Sequence, residues 1–186
     1  RVLSIRDLEI SFDTMHGKAT AIRGMRFDLY KGETVAIVGE SGSGKSVTMK
    51  AVMGIISSNQ HIDHGSISYS WWDENGQKQT VDIAKMSEHD VRSKICGRHI
   101  SMVFQDSMTS LNPTVTVGKQ IIEGMLEHYK MTKEEAKARA IKLLEEVGIK
   151  DPEKRFKQYP HQLSGGMCQR VGIAIALACD PDILIC

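Results

Sequence analysis

Residues 34–54 read TVAIVGESGSGKSVTMKAVMG, and this stretch decides the fold. Thr34 to Val38 is a compact apolar run, too short for a helix, expected as a strand buried on both faces of a parallel sheet. Gly39-Glu40-Ser41-Gly42-Ser43-Gly44-Lys45-Ser46 then matches GxxxxGK[ST], the phosphate-binding loop. Glycines at these spacings let backbone N–H groups converge on phosphate oxygens without a Cβ in the way. A helix is expected from Lys45 to Met53, capped by Gly54, and its positive dipole end points at the same place. The Lys45 ammonium neutralises phosphate charge, and the Ser46 hydroxyl is a ligand for Mg²⁺. A chain of this length and average composition carries about 0.006 such matches by chance, and the strand–loop–helix context lowers that further.

Upstream, Leu3, Ile5, Leu8, Ile10 and Phe12, then Ala21, Ile22, Met25, Phe27 and Leu29, have strand character. Downstream, Ser66 to Trp72 and Gln77 to Ile83 flank Asp73-Glu74-Asn75-Gly76, and Asn-Gly between two such runs signals a hairpin. Ile100 to Phe104 is a further buried strand, after which the pattern turns helical. Thr132-Lys133-Glu134-Glu135 is a capping box. Ala136, Ala140, Leu143, Leu144 and Val147 follow on one helix face, and Gly148 ends it. Met167 to Cys179 is an apolar helix, and Asp182 to Cys186 opens another buried strand. The sum is an α/β fold: a parallel-sheet core, an antiparallel β-subdomain at about 1–33 and 65–83, and a helical subdomain at about 106–165.

Composition narrows the class without naming it. The 186 residues are 41% hydrophobic and 25% charged, with 24 Lys+Arg against 23 Asp+Glu, a net charge of +1. That is ordinary for a globular domain, and it supplies no electrostatic pull toward nucleic acid. The longest run free of charged or strongly polar residues, Val171 to Cys179, is nine residues, where a membrane span needs about 20. Cys96, Cys168, Cys179 and Cys186 show no CxxC spacing, so buried free thiols are expected rather than structural zinc. His61-Ile62-Asp63-His64 lies in a polar loop with no third ligand nearby in sequence. Trp71 and Trp72 alternate onto opposite sheet faces, which suits strand packing rather than base stacking.

The second informative motif is Leu163-Ser164-Gly165-Gly166-Met167-Cys168-Gln169-Arg170. Ser164 suits a helix N-cap, and two glycines permit close approach of backbone to an anion. After a phosphate-binding loop, and before Pro181-Asp182-Ile183-Leu184-Ile185, this run resembles the LSGGQ signature of ABC-type ATPases. Phe104-Gln105-Asp106-Ser107-Met108-Thr109-Ser110-Leu111-Asn112-Pro113 together with the signature is similar to the ATP-binding subunits of bacterial dipeptide and oligopeptide importers, with nickel importers close by. The resemblance covers essentially the whole chain.

The resemblance implies the following roles. Gly39, Glu40, Ser41, Gly42, Ser43, Gly44, Lys45, Ser46 and Val47 hold ATP, and Phe12, or failing it His16, stacks on adenine, although Phe12 also reads as plain core. Ser46 and Gln105 contact Mg²⁺, and Gln105 also contacts the attacking water; Lys45 and Gln105 carry the catalytic roles. Two such domains close head to tail, so that Ser164, Gly165 and Gly166 of one meet the γ-phosphate held by Lys45 of the other. The implied partners are a second ATPase subunit, transmembrane permease subunits and, indirectly, an extracytoplasmic solute-binding protein. The implied place is the cytoplasmic face of a bacterial membrane, peripherally bound. The family pattern continues past its apolar strand with an acidic pair, a Mg²⁺ carboxylate and a general base, whereas this sequence ends at Cys186. It is therefore expected to be an incomplete domain over residues 1–186, inactive by itself, from an ATPase parent. Two alternatives stay open: a soluble translation- or repair-type ABC ATPase, or a nucleotide-binding piece without turnover. The repair types place a long coiled coil between loop and signature; here Lys45 and Ser164 are 119 positions apart without sustained heptads.

Overall fold

The computed structural model describes residues 1–105 and 110–186, in two units, Arg1–Ser93 and Lys94–Cys186. The first is built on an antiparallel sheet of order β2-β1-β3-β4, with β1 Leu3–Thr14, β2 Gly17–Leu29, β3 Gln60–Trp72 and β4 Lys78–Asp82. The apolar alternation in β1 slips by one residue, from Leu3 and Ile5 to Leu8 and Ile10, yet all four are buried. A bulge absorbs the slip. Asp7 takes φ 46°, and the ladders of β1 shift register around it. Gly65 of β3 lies against this bulge, where a Cβ would stand 2.6 Å from the carbonyl oxygens of Arg6 and Asp7. One extra residue thus keeps both halves of the strand facing the core.

The hairpin joining β3 and β4 turns as Asn-Gly predicts. The Asp73 carboxylate accepts the backbone N–H groups of Gln77 at 2.9 Å and Asn75 at 3.0 Å, and the Gln79 amide at 2.8 Å. These donors, Gln77 first, hold its pKa below the ordinary carboxylate value. Trp71 stacks on buried Tyr69 with ring centroids 5.3 Å apart, and Trp72 on the other face is exposed beside Lys78. Helix α1, Lys45–Val52, closes in a Schellman motif: Ile55 N–H reaches the Lys50 carbonyl and Gly54 N–H the Ala51 carbonyl. A short helix α2, Glu88–Lys94, places Val91 against Gly54.

The parallel strand expected at Thr34–Val38 is not formed. The segment is irregular, Val38 is 90% exposed, and no described strand pairs with it. An apolar run has strand propensity, but a strand exists only through a hydrogen-bonded neighbour.

The second unit carries the parallel pairing, β5 Ile100–Met102 with β6 Ile183–Ile185, in the register Ile100↔Ile183 to Met102↔Ile185. Ile183 is buried, but Leu184 is exposed, so β6 is covered on one face rather than both. His99 Nδ1 and Asp182 Oδ2, 2.8 Å apart, stand at the entry to the two strands. Among the described residues these helices accompany them: α3 Val117–His128, α4 Lys133–Glu146, α5 Pro152–Phe156 and α6 Gly165–Leu177. Val117, Ile121, Met125, Ala136, Ala140, Leu144, Cys168, Val171 and Ala174 form their common core. Cys168 and Cys179 are buried as expected, and burial raises both thiol pKa values; Cys186 is exposed and Cys96 only partly covered.

Candidate functional site

The phosphate-loop motif in the first unit forms a turn running directly into α1. Gly44 is the N-cap in left-handed geometry, φ 89°, with no side chain capping the helix, so the first-turn N–H groups have no side-chain acceptor at the cap. The turn itself is closed by Ser43 N–H on the Glu40 carbonyl at 3.2 Å. Lys45 folds back across it. Its ammonium donates to the carbonyl oxygens of Gly39 at 2.6 Å and Glu40 at 2.8 Å, and to Ser43 Oγ at 3.2 Å. All three ammonium protons therefore rest on weak neutral acceptors, which an anion would replace with charge-assisted bonds. Ser46, the second residue of α1, is exposed, and its hydroxyl is the kind of hard oxygen donor that Mg²⁺ takes.

The loop meets the sheet at Gly44. A Cβ on Gly44 would overlap Ile22 Cδ1 and stand 3.5 Å from the Ala21 carbonyl oxygen. Ile22 pairs with Ile10 across β2 and β1, and the β1–β3 ladder runs without a shift from Ile10 to Phe12, so Phe12 shares the face of Ile10 by alternation. Phe12 is half-buried and pairs with Ala19 on one side and Gln60 on the other. The aromatic ring and the phosphate loop thus occupy the same face of one sheet. His16 is at the exposed hairpin tip, with its backbone N–H on Thr14 Oγ1. His61 Nε2 is 2.7 Å from Asp13 Oδ2, and Asp63 is paired with Lys18, whose ammonium holds that carboxyl below its ordinary pKa. These side chains form pairs along strand ends.

The signature and Gln105 belong to the second unit. Ser164 is the N-cap of α6, its Oγ accepting the Met167 N–H at 3.3 Å. Ser164, Gly165 and Gly166 are exposed, and nothing stands within 4 Å of where a Gly166 Cβ would be. The helix end is therefore open to an approaching anion. Arg170, one turn in, donates to the carbonyls of Val147 at 3.0 Å and Gly148 at 2.8 Å. It ties α6 to the C-terminal end of α4, where a cation meets the negative end of the dipole. Phe104 and Gln105 are exposed; Asp106 to Thr109 lie outside the described residues.

Sequence reasoning missed Ile22 and Arg170 as parts of these sites. Ile22 reads as one more apolar strand residue, and Arg170 as a polar residue after a signature. Only their contacts, 22 positions apart in each case (Ile22 with Gly44, Arg170 with Gly148), give them a role.

Known proteins resemble this chain in sequence and in fold. A family model described as ABC transporter matches residues 22–186. The dipeptide transport ATP-binding protein DppD of Bacillus subtilis (strain 168) is 50% identical over 100% of this chain, which covers 52% of that protein. The oligopeptide transport ATP-binding protein OppD of the same organism is 51% identical over the whole chain, which covers 49% of it. The chain spans about half the length of the curated relatives it matches. Among solved structures, a dimeric ATP-binding cassette in a post-hydrolysis state bound to ADP and Pi superposes with a TM-score of 0.80 at 24% identity, over 98% of this chain and 72% of that one. A second cassette dimer, described as a bacterial ABC transporter cassette, gives 0.79 at 24% identity, with the same coverage.

Proposed function

The chain belongs to the ABC transporter family, and from that premise we propose that the whole protein is the ATP-hydrolysing subunit of a peptide importer. The observation that carries this reading is the loop seated by Gly44 on Ile22, with Lys45 turned into it and Phe12 on the same sheet face. The peptide-transport names of the relatives at 50% and 51% identity support the choice of cargo.

In this reading the backbone N–H groups of Gly39 to Ser46 and the first turn of α1 cradle the β- and γ-phosphates, with Glu40, Ser41 and Val47 completing the loop. Lys45 exchanges its carbonyl partners for phosphate oxygens, and Phe12 stacks on the base. Ser46 and Gln105 would hold Mg²⁺, which when bound neutralises charge on the transferred phosphoryl group. Gln105 also orients the attacking water. Ser164, Gly165 and Gly166 present the N-terminus of α6 to the γ-phosphate held by a second subunit, so that hydrolysis depends on positioning and electrostatics. The helical subdomain, about 106–165, and the remainder of residues 1–186 form one ATPase domain that docks on permease subunits at the cytoplasmic membrane face, fed by a solute-binding protein. Among the described residues no helix is long and apolar enough to cross a membrane.

The test is reconstitution of the full-length subunit with its permease subunits in vesicles. ATP-dependent accumulation of labelled di- or oligopeptide is expected. Uptake of Ni²⁺ in place of peptide would overturn the cargo assignment, and ATPase activity indifferent to the permease would overturn the transport role.

A further inference from the structure

We propose that Gln60 donates a hydrogen bond to the base of the bound nucleotide and thereby helps select it; this rests on the nucleotide-binding reading above. Gln60 opens β3, is 7% exposed, and its Nε2 is buried with no hydrogen-bond partner. The assignment of its two amide ends is not arbitrary. The Ser57 backbone N–H points at the carboxamide at 3.5 Å and needs an oxygen there, which leaves the –NH₂ end as the orphan. A buried donor without a partner is rare and requires a reason.

Its position supplies one. Gln60 is the direct cross-strand partner of Phe12, so both side chains leave the same sheet face a few ångströms apart. That face also carries Ile10 and Ile22, on which Gly44 seats the phosphate loop. The step from the Ile10–Ile22 pair to Phe12 and Gln60 is two residues along the strand, about 6.7 Å. A nucleotide with its phosphates in the loop and its base stacked on Phe12 would bring that base beside the strand position of Gln60, where contact with Nε2 requires the cover over the buried amide to open. The amide is also held in place. Asp13 N–H bonds the Asn59 carbonyl at 2.8 Å, Asn59 Nδ2 the Asp13 carbonyl at 3.2 Å, and Gln60 N–H the Ser57 carbonyl at 2.9 Å. These bonds fix the 57–60 turn to the end of β1. Because Nε2 only donates, it favours a base edge presenting a ring nitrogen or carbonyl and opposes one presenting an amino group.

The test measures equilibrium binding of ATP and of inorganic tripolyphosphate, both with Mg²⁺, to the full-length subunit. Gln60→Leu keeps the volume and removes the donor; it is expected to weaken ATP binding about tenfold and leave tripolyphosphate unchanged. Gln60→Glu, which offers an ionised acceptor in place of the donor, is expected to be weaker still for ATP. Unchanged ATP affinity in Gln60→Leu overturns the proposal, as does an equal loss for both ligands, which would place the effect on the loop. Lys45→Ala in the same assay keeps the two levels apart: if it weakens neither ligand, the nucleotide-site reading itself fails.

Discussion

Gly44 lies so close to Ile22 that a single methyl group on its α-carbon would overlap the isoleucine Cδ1. This contact joins the phosphate loop to the sheet that carries Phe12. Gly44→Ala therefore suffers twice, from the overlap and from the left-handed backbone at φ 89°. A loss of about 1–3 kcal/mol in unfolding free energy is expected, with weakened ATP binding. Ile22→Ala in the Gly44→Ala background relieves the overlap but not the backbone strain. A double-mutant cycle in urea should show partial recovery; strict additivity would mean that the contact is unimportant.

Lys45 is the only cation in the loop and already turns its three protons inward. Lys45→Ala in the full-length subunit should abolish hydrolysis and leave the circular dichroism spectrum unchanged. Turnover above a tenth of the wild-type rate would remove the phosphate-cradle assignment.

The open N-terminus of α6 predicts an effect in trans. Ser164→Arg fills the exposed helix end with a bulky cation and removes the Oγ that caps Met167 N–H. Mononucleotide binding by isolated subunits should be spared, whereas ATP-driven dimerisation, read by light scattering, should fail. Loss of both properties in a folded variant would contradict the head-to-tail arrangement.

The capping box of α4 should give a pH-dependent contribution. Thr132 N–H and Oγ1 lie 2.7 and 2.9 Å from Glu135 Oε2, and these bonds hold the Glu135 pKa below its ordinary value of 4.5. A carboxylate with a lowered folded-state pKa stabilises the fold above its unfolded pKa, and that stability is lost as pH falls through the folded value. Urea unfolding should therefore show Glu135→Ala as destabilising at pH 7 and progressively less so below pH 4.5. A difference that is constant from pH 7 to pH 3 would show that the carboxylate charge plays no part.

What the sequence determined by itself was local. The glycines and Lys45 of the loop, the Asn75-Gly76 turn, the Thr132–Glu135 box and the Ser164 cap each depend on residues within a few positions of one another. Their chemistry is complete in a short stretch, so it can be read without a fold. The tertiary structure decided what depends on a distant partner. Thr34 to Val38 has strand composition but pairs with no described strand, because a ladder needs a neighbour that composition cannot specify. Ile22 under Gly44, Arg170 on the carbonyls of Val147 and Gly148, and Gln60 across from Phe12 acquire their roles through chain separations of 22 to 48 positions. Those separations are closed by sheet register and helix packing, which follow from burying the whole apolar set at once rather than from any single motif.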